Sequence, residues 1–487
     1  MAHIRKIKPA VIPPTESQTN TTYPVLFGTD GIRTRMGTEP LTPTCMMSLG
    51  DALGLWITTY QHDHTHITPK RILIGHDTRI SCHLLKSALK TGLLLHNSTL
   101  YDLGVISTPA LYFLTTNATH TTQDQFDMGI MITASHNHAS DNGIKIFTHD
   151  QGKITSKDEQ LITQLYYDIL SNKLSCARTR DNDYTQLGTE QHTPELIKKY
   201  TQDLVAKLNP AMFNLSGTIT IALDCAHGSY YALAPHVFET MGIQVHTSAH
   251  SPTGTNINHE SGSEHPEHLQ NILKQNPAIT LGFAFDGDGD RVIVVTKEGK
   301  IKTGDDILAF LLTHPAYAHE NTIVGTVMTN QGLENYLHTK HKKLIRTPVG
   351  DKHIINFMRE KKLLLGGEPS GHIILGDFNQ TSDALFVALR VLETAFLTNN
   401  WELTTFTKFP QIIINTPVPN KKDLSTEPFA QTIQNARDLL PHGRLIARYS
   451  GTEPVLRIMV ENNCEEKARK IANTLAQKLL KLLTSPL

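Results

Sequence analysis

From Tyr23 onward, short runs of apolar and β-branched residues alternate with longer stretches whose apolar positions recur every third or fourth residue. The short runs have the character of strands and the long ones the period of amphipathic helices. Their alternation predicts an α/β fold. One arrangement occurs three times: a strand, a polar loop, a helix and a second strand. R-I-L-I-G-H-D-T-R leads into a helix over Ser81–Leu95 and then T-L-Y-D-L-G. T-I-T-I-A-L-D-C-A-H-G leads into Tyr230–Met241 and I-Q-V-H-T. N-T-I-V-G-T-V-M-T-N leads into Gly332–Thr339 and K-L-I-R-T. Each reads as a βαβ unit. The residue identities do not repeat, so the likeness is one of pattern. The C-terminal stretch differs: I-I-I-N-T-P-V, R-L-I-A-R-Y-S and L-R-I-M-V-E accompany helices over Pro428–Leu440 and Glu465–Leu483. That predicts a small α+β unit. The expected division is a mobile tail over 1–22, α/β units over 23–178, 179–278 and 279–399, and the α+β unit over 405–487.

The length of 487 residues agrees with several domains of roughly 150 residues each. With 39% hydrophobic and 19% charged residues the chain is globular rather than disordered. Lys+Arg of 45 against Asp+Glu of 46 leaves a net charge of -1, which argues against a general nucleic-acid or membrane-surface partner. Bound anions must therefore be held by local clusters. The longest uncharged run, Leu103–Gln123, is interrupted by Pro109 and many Ser, Thr and Asn residues, so no membrane span is expected. The N-terminal stretch lacks the apolar core of a signal peptide. Five Cys without a C-x-x-C pair fit a reducing, cytoplasmic setting. His62, His64 and His66 read as a polar loop rather than a zinc site.

Chemistry concentrates in a few polar segments. In Met131–Phe147 an apolar strand runs into Ser135 and His136, and Asn142-Gly143 is expected to turn the chain into a strand that begins at Lys145. A hydroxyl at a strand end can serve as a nucleophile when a base or metal lies nearby, with His136 and Lys145 as candidates. In F-A-F-D-G-D-G-D-R, Asp286, Asp288 and Asp290 would repel one another without a cation among them. Hard oxygen ligands suit Mg²⁺ or Ca²⁺. Arg291 and Lys297 occupy the positions where an EF-hand loop needs Gly and Glu, which excludes that motif. L-G-G-E-P-S-G-H offers Glu368, Ser370 and His372 on a tight loop suited to sugar hydroxyls. In R-Y-S-G-T-E-P-V-L-R, Arg448, Ser450, Gly451, Thr452 and Arg457 read as a phosphate cradle. L-F-G-T-D-G-I-R, ending at Arg33, and G-H-D-T-R each offer a structural ion pair.

Taken in order, F-G-T-D-G-I-R, T-A-S-H-N, D-G-D-G-D-R, G-E-P-S-G-H and R-Y-S-G-T-E-P resemble the motifs of the α-D-phosphohexomutase superfamily. The resemblance extends from Tyr23 to the C-terminus. S-G-T-E-P-V-L-R, V-G-D-K, D-C-A-H-G and T-N-I-N lean toward its glucosamine-phosphate branch. It implies three related α/β domains and a C-terminal α+β domain around a central cleft. It implies an intramolecular phosphotransferase that moves phosphate between O6 and O1 of glucosamine through a 1,6-bisphosphate, feeding amino-sugar and cell-wall precursor synthesis. Ser135 would be the phosphoserine and would join Asp286, Asp288 and Asp290 around Mg²⁺. Lys145 would be the acid/base. Arg33 and Arg291 would line the reacting phosphate. Glu368 and Ser370 would hold O3 and O4, and Arg448, Ser450, Gly451 and Thr452 the other phosphate. The implied partner is a small phosphosugar, with a catalytic hexosamine 1,6-bisphosphate as activator; a homodimer is among the assemblies allowed. His138, Thr34, Pro369, Lys352 and Cys82 depart from the family pattern. A mutase for mannose or glucose phosphates, a non-catalytic sugar-phosphate binder and a metal-dependent phosphatase stay open as other readings.

Overall fold

The computed structural model describes residues 23–59, 69–117, 125–174, 187–215, 217, 219–441, 443–449 and 454–484. The expected tail, the histidines His62, His64 and His66, and Ser450, Gly451 and Thr452 lie outside them. The described residues form four sheets with helices packed against them. No described helix is long and apolar enough to cross a membrane.

The first sheet runs Ile32–Arg35, Asp141–Thr148, Met128–Ile132, Lys70–His76, Ser98–Val105, Thr189–His192. Lys70–His76 pairs in parallel with both neighbours, and the helix Cys82–Leu93 is the crossover to Ser98–Val105. Leu85, Leu89 and Leu93 give that helix a buried stripe that joins the core formed by Leu49 and Leu53. Two expectations change here. Asn142-Gly143 is not a turn; both residues lie inside the strand Asp141–Thr148. The glycine is required by close approach: a Cβ on Gly143 would sit 2.3 Å from the Ile32 carbonyl oxygen and 2.6 Å from that of Thr133. Thr189–His192, expected in the second unit, pairs instead with the edge of the first sheet.

The second sheet runs Ile301–Lys302, Val292–Thr296, Ile279–Phe285, Thr220–Asp224, Gln244–Ser248. The expected cut between residues 278 and 279 therefore separates partners, since Ile279–Phe285 pairs in parallel with Thr220–Asp224. Leu269 and Leu273 of the helix Pro266–Gln275 pack over Gly282, where a Cβ would meet both side chains at 2.9 Å. The acidic segment thus hangs from the second sheet. The third sheet runs Lys343–Thr347, Thr322–Thr326, Leu365–Gly367, Ile373–Leu375. The fourth is the antiparallel set Gln411–Pro417, Val455–Glu461, Arg444–Tyr449, with the helices Phe429–Asp438 and Glu465–Thr484 sharing its core.

One apolar cluster runs through the first three units. It joins Phe113 and Phe147 to Tyr200, Phe283, Phe310 and Phe386. The helix Ala384–Thr398 is buried from Ala384 to Ala395, which explains why it is apolar almost all round. The fourth unit keeps a core of its own and meets the third through Arg444, whose guanidinium donates to the carbonyls of Val327 and Thr329 at 2.8 Å each.

Asp305, on the helix Gly304–Leu311, is buried with one carboxyl oxygen on the Asn330 N–H at 2.9 Å and the other without a hydrogen bond. Burial pushes its carboxyl up to about 7. The folded chain then keeps a proton that the unfolded chain loses near the ordinary carboxylate value of about 4. Its contribution to stability is complete below that value and is lost as pH rises through 7. Asp305→Asn removes this slope. The urea midpoint of the native protein is expected to fall relative to that of the variant between about pH 5 and pH 8. A gap that stays constant would contradict the assignment.

Candidate active site

The strand Met128–Ile132 ends at Thr133, whose hydroxyl donates to Asp77 at 2.6 Å and accepts the Ser135 N–H at 2.8 Å. Ser135 follows with φ 54, a left-handed conformation unusual for a non-glycine residue. It is 1% exposed, and its hydroxyl donates to Asp286 at 2.7 Å. His136 Nδ1 lies 3.4 Å from the same hydroxyl. Burial, and the nearby guanidinium of Arg291, lower the His136 imidazole to about 4, so it is neutral at neutral pH.

Arg79 holds this loop from below. Its guanidinium is buried and paired with Asp77 at 2.9 Å. It also donates to the carbonyls of Ser135 at 3.0 Å, Asn137 at 2.8 Å and Asp141 at 3.0 Å, and to that of His138. G-H-D-T-R therefore forms the expected ion pair and supports the nucleophile loop as well. Cys82 fits beneath it, with its thiol on Asp77 at 3.2 Å.

The acidic segment places one ligand oxygen each of Asp286, Asp288 and Asp290 within 4.8 Å of one another. Burial and the two neighbouring carboxylates push Asp286 well above the usual range. Asp288 and Asp290 each carry a buried Oδ1 without a hydrogen bond. Crowded, buried, unsatisfied carboxylate oxygens are what a hard divalent cation would complete, so the residues present fit a metal site. The backbone of this segment is held from three units. Thr108 N–H donates to the Asp288 carbonyl at 2.9 Å, Ser229 N–H to Gly287 at 2.8 Å, and Ala384 N–H to Gly289 at 3.2 Å. The Ser382 hydroxyl donates to the Asp290 carbonyl.

Lys145 is buried among three carboxylates, with Nζ 2.9 Å from Asp288, 2.9 Å from Asp290 and 3.0 Å from Asp30. Burial opposes its charge, but the three carboxylates outweigh it and hold the ammonium well above its usual range. Asp30 also binds Lys153 at 2.6 Å, and Lys153 in turn binds Asp351. His372 lies 3.5 Å from Asp351 and 3.8 Å from Asp290. These six side chains close a ring of alternating charge beside the acidic segment. His372, expected on the sugar, is part of that ring. Burial disfavours its imidazolium, yet Asp290, Asp351 and Glu368 together raise it above the ordinary histidine value.

Arg33 pairs with Asp30, and Arg291 with Glu264 at 2.8 Å. Each keeps a buried Nε without a hydrogen bond. Glu368 accepts the Gly350 N–H at 3.1 Å, and Ser370 is half-buried on the same loop. Arg448 and Arg457 stand opposite each other on neighbouring strands of the fourth sheet. Sequence reasoning missed Asp30, Thr108, Lys153, Asp351 and Asn258 as members of the site. Thr108 donates to Asp288 at 2.5 Å, and Asn258 reaches the nucleophile loop from the second unit.

Family models described as phosphoglucomutase/phosphomannomutase match this chain in four parts: α/β/α domain I over residues 24–173, domain II over 198–299, domain III over 303–406 and the C-terminal domain over 413–478. The chain is 38% identical over 458 residues to phosphoglucosamine mutase of Agrobacterium fabrum, covering 92% of this chain and 96% of that one. It is 36% identical to phosphoglucosamine mutase of Lawsonia intracellularis, covering 94% and 99%. Its fold is similar to that of a phosphoglucomutase/phosphomannomutase family protein from Burkholderia thailandensis, with a TM-score of 0.73 at 22% identity, covering 94% and 98%.

Proposed function

The chain belongs to the phosphoglucomutase/phosphomannomutase family, and on that premise we propose that it interconverts glucosamine 6-phosphate and glucosamine 1-phosphate. The observation that carries this reading is the Ser135 hydroxyl bonded to Asp286 at 2.7 Å, at the head of three crowded carboxylates. A hydroxyl so placed can carry a phosphoryl group.

Ser135 gives its phosphoryl group to O1 of glucosamine 6-phosphate. The P–Oγ bond breaks, a P–O1 bond forms, and the O1 proton leaves. The product is the 1,6-bisphosphate. The sugar turns end for end, and Ser135 takes back the phosphoryl group from O6, which regains a proton. The net reaction is an isomerisation. A trace of the hexosamine 1,6-bisphosphate would phosphorylate Ser135 at the outset. Mg²⁺ held by Asp286, Asp288, Asp290 and the phosphoserine would supply charge neutralisation on the phosphoryl oxygens.

Lys145, held as an ammonium, contributes a fixed positive charge beside the phosphoryl group and a proton donor for the oxygen it leaves. Arg33 and Arg291 direct their guanidinium groups toward the equatorial oxygens. His136, neutral at working pH, is available to accept the hydroxyl proton. Glu368 and Ser370 hold O3 and O4, which roughly exchange places when the sugar turns. Arg448, with Ser450, Gly451, Thr452 and Arg457, clamps the phosphate that is not reacting.

The test is ³¹P NMR of the protein with Mg²⁺, a catalytic amount of hexose 1,6-bisphosphate and, in separate tubes, the 6-phosphates of glucosamine, glucose and mannose. A 1-phosphate signal that appears fastest from glucosamine 6-phosphate is the expected result. Conversion of glucose or mannose phosphate alone would keep the phosphotransfer and overturn the substrate. Release of inorganic phosphate without a 1-phosphate, or no conversion at all, would overturn both.

A further inference from the structure

The carbonyl oxygens of Ser135 and Asn137 are each held twice. Arg79, in the same unit, donates to them from one side at 3.0 and 2.8 Å. The carboxamide of Asn258, in the second unit, donates to the same two atoms at 2.8 and 3.0 Å. Both acceptors are carbonyls, so the amide nitrogen must face them. The space is closed as well: a Cβ on Gly287 would lie 2.7 Å from the Ser135 carbonyl oxygen and 2.9 Å from the Asn258 amide.

The loops that deliver Asn258 are unusual. Ala226, His227, Ala249, Asn258 and Glu260 all have φ between 45 and 58. Apart from asparagine, these residue types adopt the left-handed region rarely, and such clusters persist only where the surroundings fix them. Here the strained residues hold one another: Asn258 N–H donates to the Ala226 carbonyl at 2.8 Å, and His227 N–H to that of Ala249 at 2.5 Å. The same loops accept from Thr78 at the His227 carbonyl, 2.6 Å, and from Ile80 N–H at the Gly254 carbonyl, 2.9 Å. They meet the first unit on either side of Arg79, which carries the nucleophile loop.

We propose that Asn258 is a positioning residue for phosphoryl transfer, holding the Ser135 backbone in the left-handed conformation that aims its hydroxyl at the acidic segment. Arg79 fixes the loop to its own sheet. Asn258 fixes it against the second unit, from which the metal-binding carboxylates hang. The alignment of Ser135 with those carboxylates thus depends on a contact between units. The inference rests on the reading of Ser135 as the phosphoryl carrier.

Two variants separate the side chain from the backbone it sits on. Asn258→Gly keeps the left-handed conformation and removes the carboxamide. Asn258→Asp keeps the shape and turns an oxygen toward two carbonyl oxygens. Both are expected to lower kcat at least tenfold, on the scale of about a hundredfold that small misplacements cost. KM for the hexose 6-phosphate is expected to stay within about twofold, because Glu368 and Ser370 are untouched. Intact-mass spectrometry after addition of the 1,6-bisphosphate should show Ser135 phosphorylated more slowly by the same factor as kcat. Wild-type kcat in both variants, or a loss confined to KM with phosphorylation at the native rate, overturns the proposal. If the native protein itself isomerises nothing, the parent reading fails instead. The thermal midpoint, measured alongside, shows that the folded variants are being compared; a lower midpoint with native kcat at 25 °C again overturns the positioning role.

Discussion

Ser135→Ala is expected to lose isomerisation altogether and to take up no phosphate from the 1,6-bisphosphate by intact mass. Removing the nucleophile of a covalent mechanism costs on the order of 10⁶ in kcat, and here no second carrier completes the cycle. The fold should tolerate the change. The backbone bonds of Ser135, to Thr133, Arg79 and Asn258, involve its N–H and carbonyl and survive in alanine. The variant should therefore bind the sugar phosphate with near-native affinity, which calorimetry can measure. A second hydroxyl reaches a carboxylate of the acidic segment, that of Thr108 on Asp288. Phosphate found on Thr108 in the variant, together with residual turnover, would show that the carrier had been misassigned.

Lys145→Met is expected to have the second largest effect, on both rate and stability. The ammonium faces Asp30, Asp288 and Asp290, all within 3.0 Å. Methionine fills the space and leaves these carboxylates without that counter-charge. Breaking a buried pair in this way costs about 3–5 kcal/mol, and loss of a positioned acid/base costs roughly 10²–10⁴ in rate. The pH dependence should also flatten. Despite burial, Lys145 helps to hold Asp30 and Asp290 well below the usual range in the native protein. These two therefore contribute stability that is present above about pH 4 and lost as pH falls through their lowered values. Without Lys145, Asp30 keeps Lys153 and Arg33 and Asp290 keeps His372 and Arg291, so both carboxyls rise and less stability is lost on acidification from about pH 7 to about pH 3. Mg²⁺ supplies positive charge to the same carboxylates and should recover part of the loss. Denaturant midpoints across this pH range, with and without Mg²⁺, give the answer. A native-like profile insensitive to Mg²⁺ would contradict the charge balance described here.

The parts of this molecule written locally in the chain could be read from it. Strand and helix periods mark the three βαβ units, and Asp286, Asp288 and Asp290 mark a candidate cation site within five consecutive positions. What joins distant segments could not be read. Lys153 is paired with Asp30 and Asp351, which stand 123 and 198 positions away. A single lysine after a glycine carries no local sign of either partner. Asn142-Gly143 has the composition of a hairpin turn, yet its glycine answers to the strand Ile32–Arg35 pressing on it from far along the chain. The boundary set at residue 278 failed for a related reason. The segment Ile279–Phe285 reads as the start of a new strand-led unit, and only its pairing with Thr220–Asp224 assigns it to the older one.

The acidic segment takes backbone hydrogen bonds from Thr108, Ser229 and Ala384 and a hydroxyl bond from Ser382. Its shape is therefore not carried by its own five letters. Grafted into another scaffold, D-G-D-G-D would arrive as a flexible acidic turn and lose its preorganised oxygens. The same arrangement restricts how such a protein can be recombined. A chimaera that takes its first unit from a relative must bring a hydrogen-bond donor to the place of Thr108, and one that exchanges the third must supply donors for Ala384 and Ser382. Units that look interchangeable by topology are tied by three bonds at one short segment, and exchanging one without its donors is expected to loosen that segment.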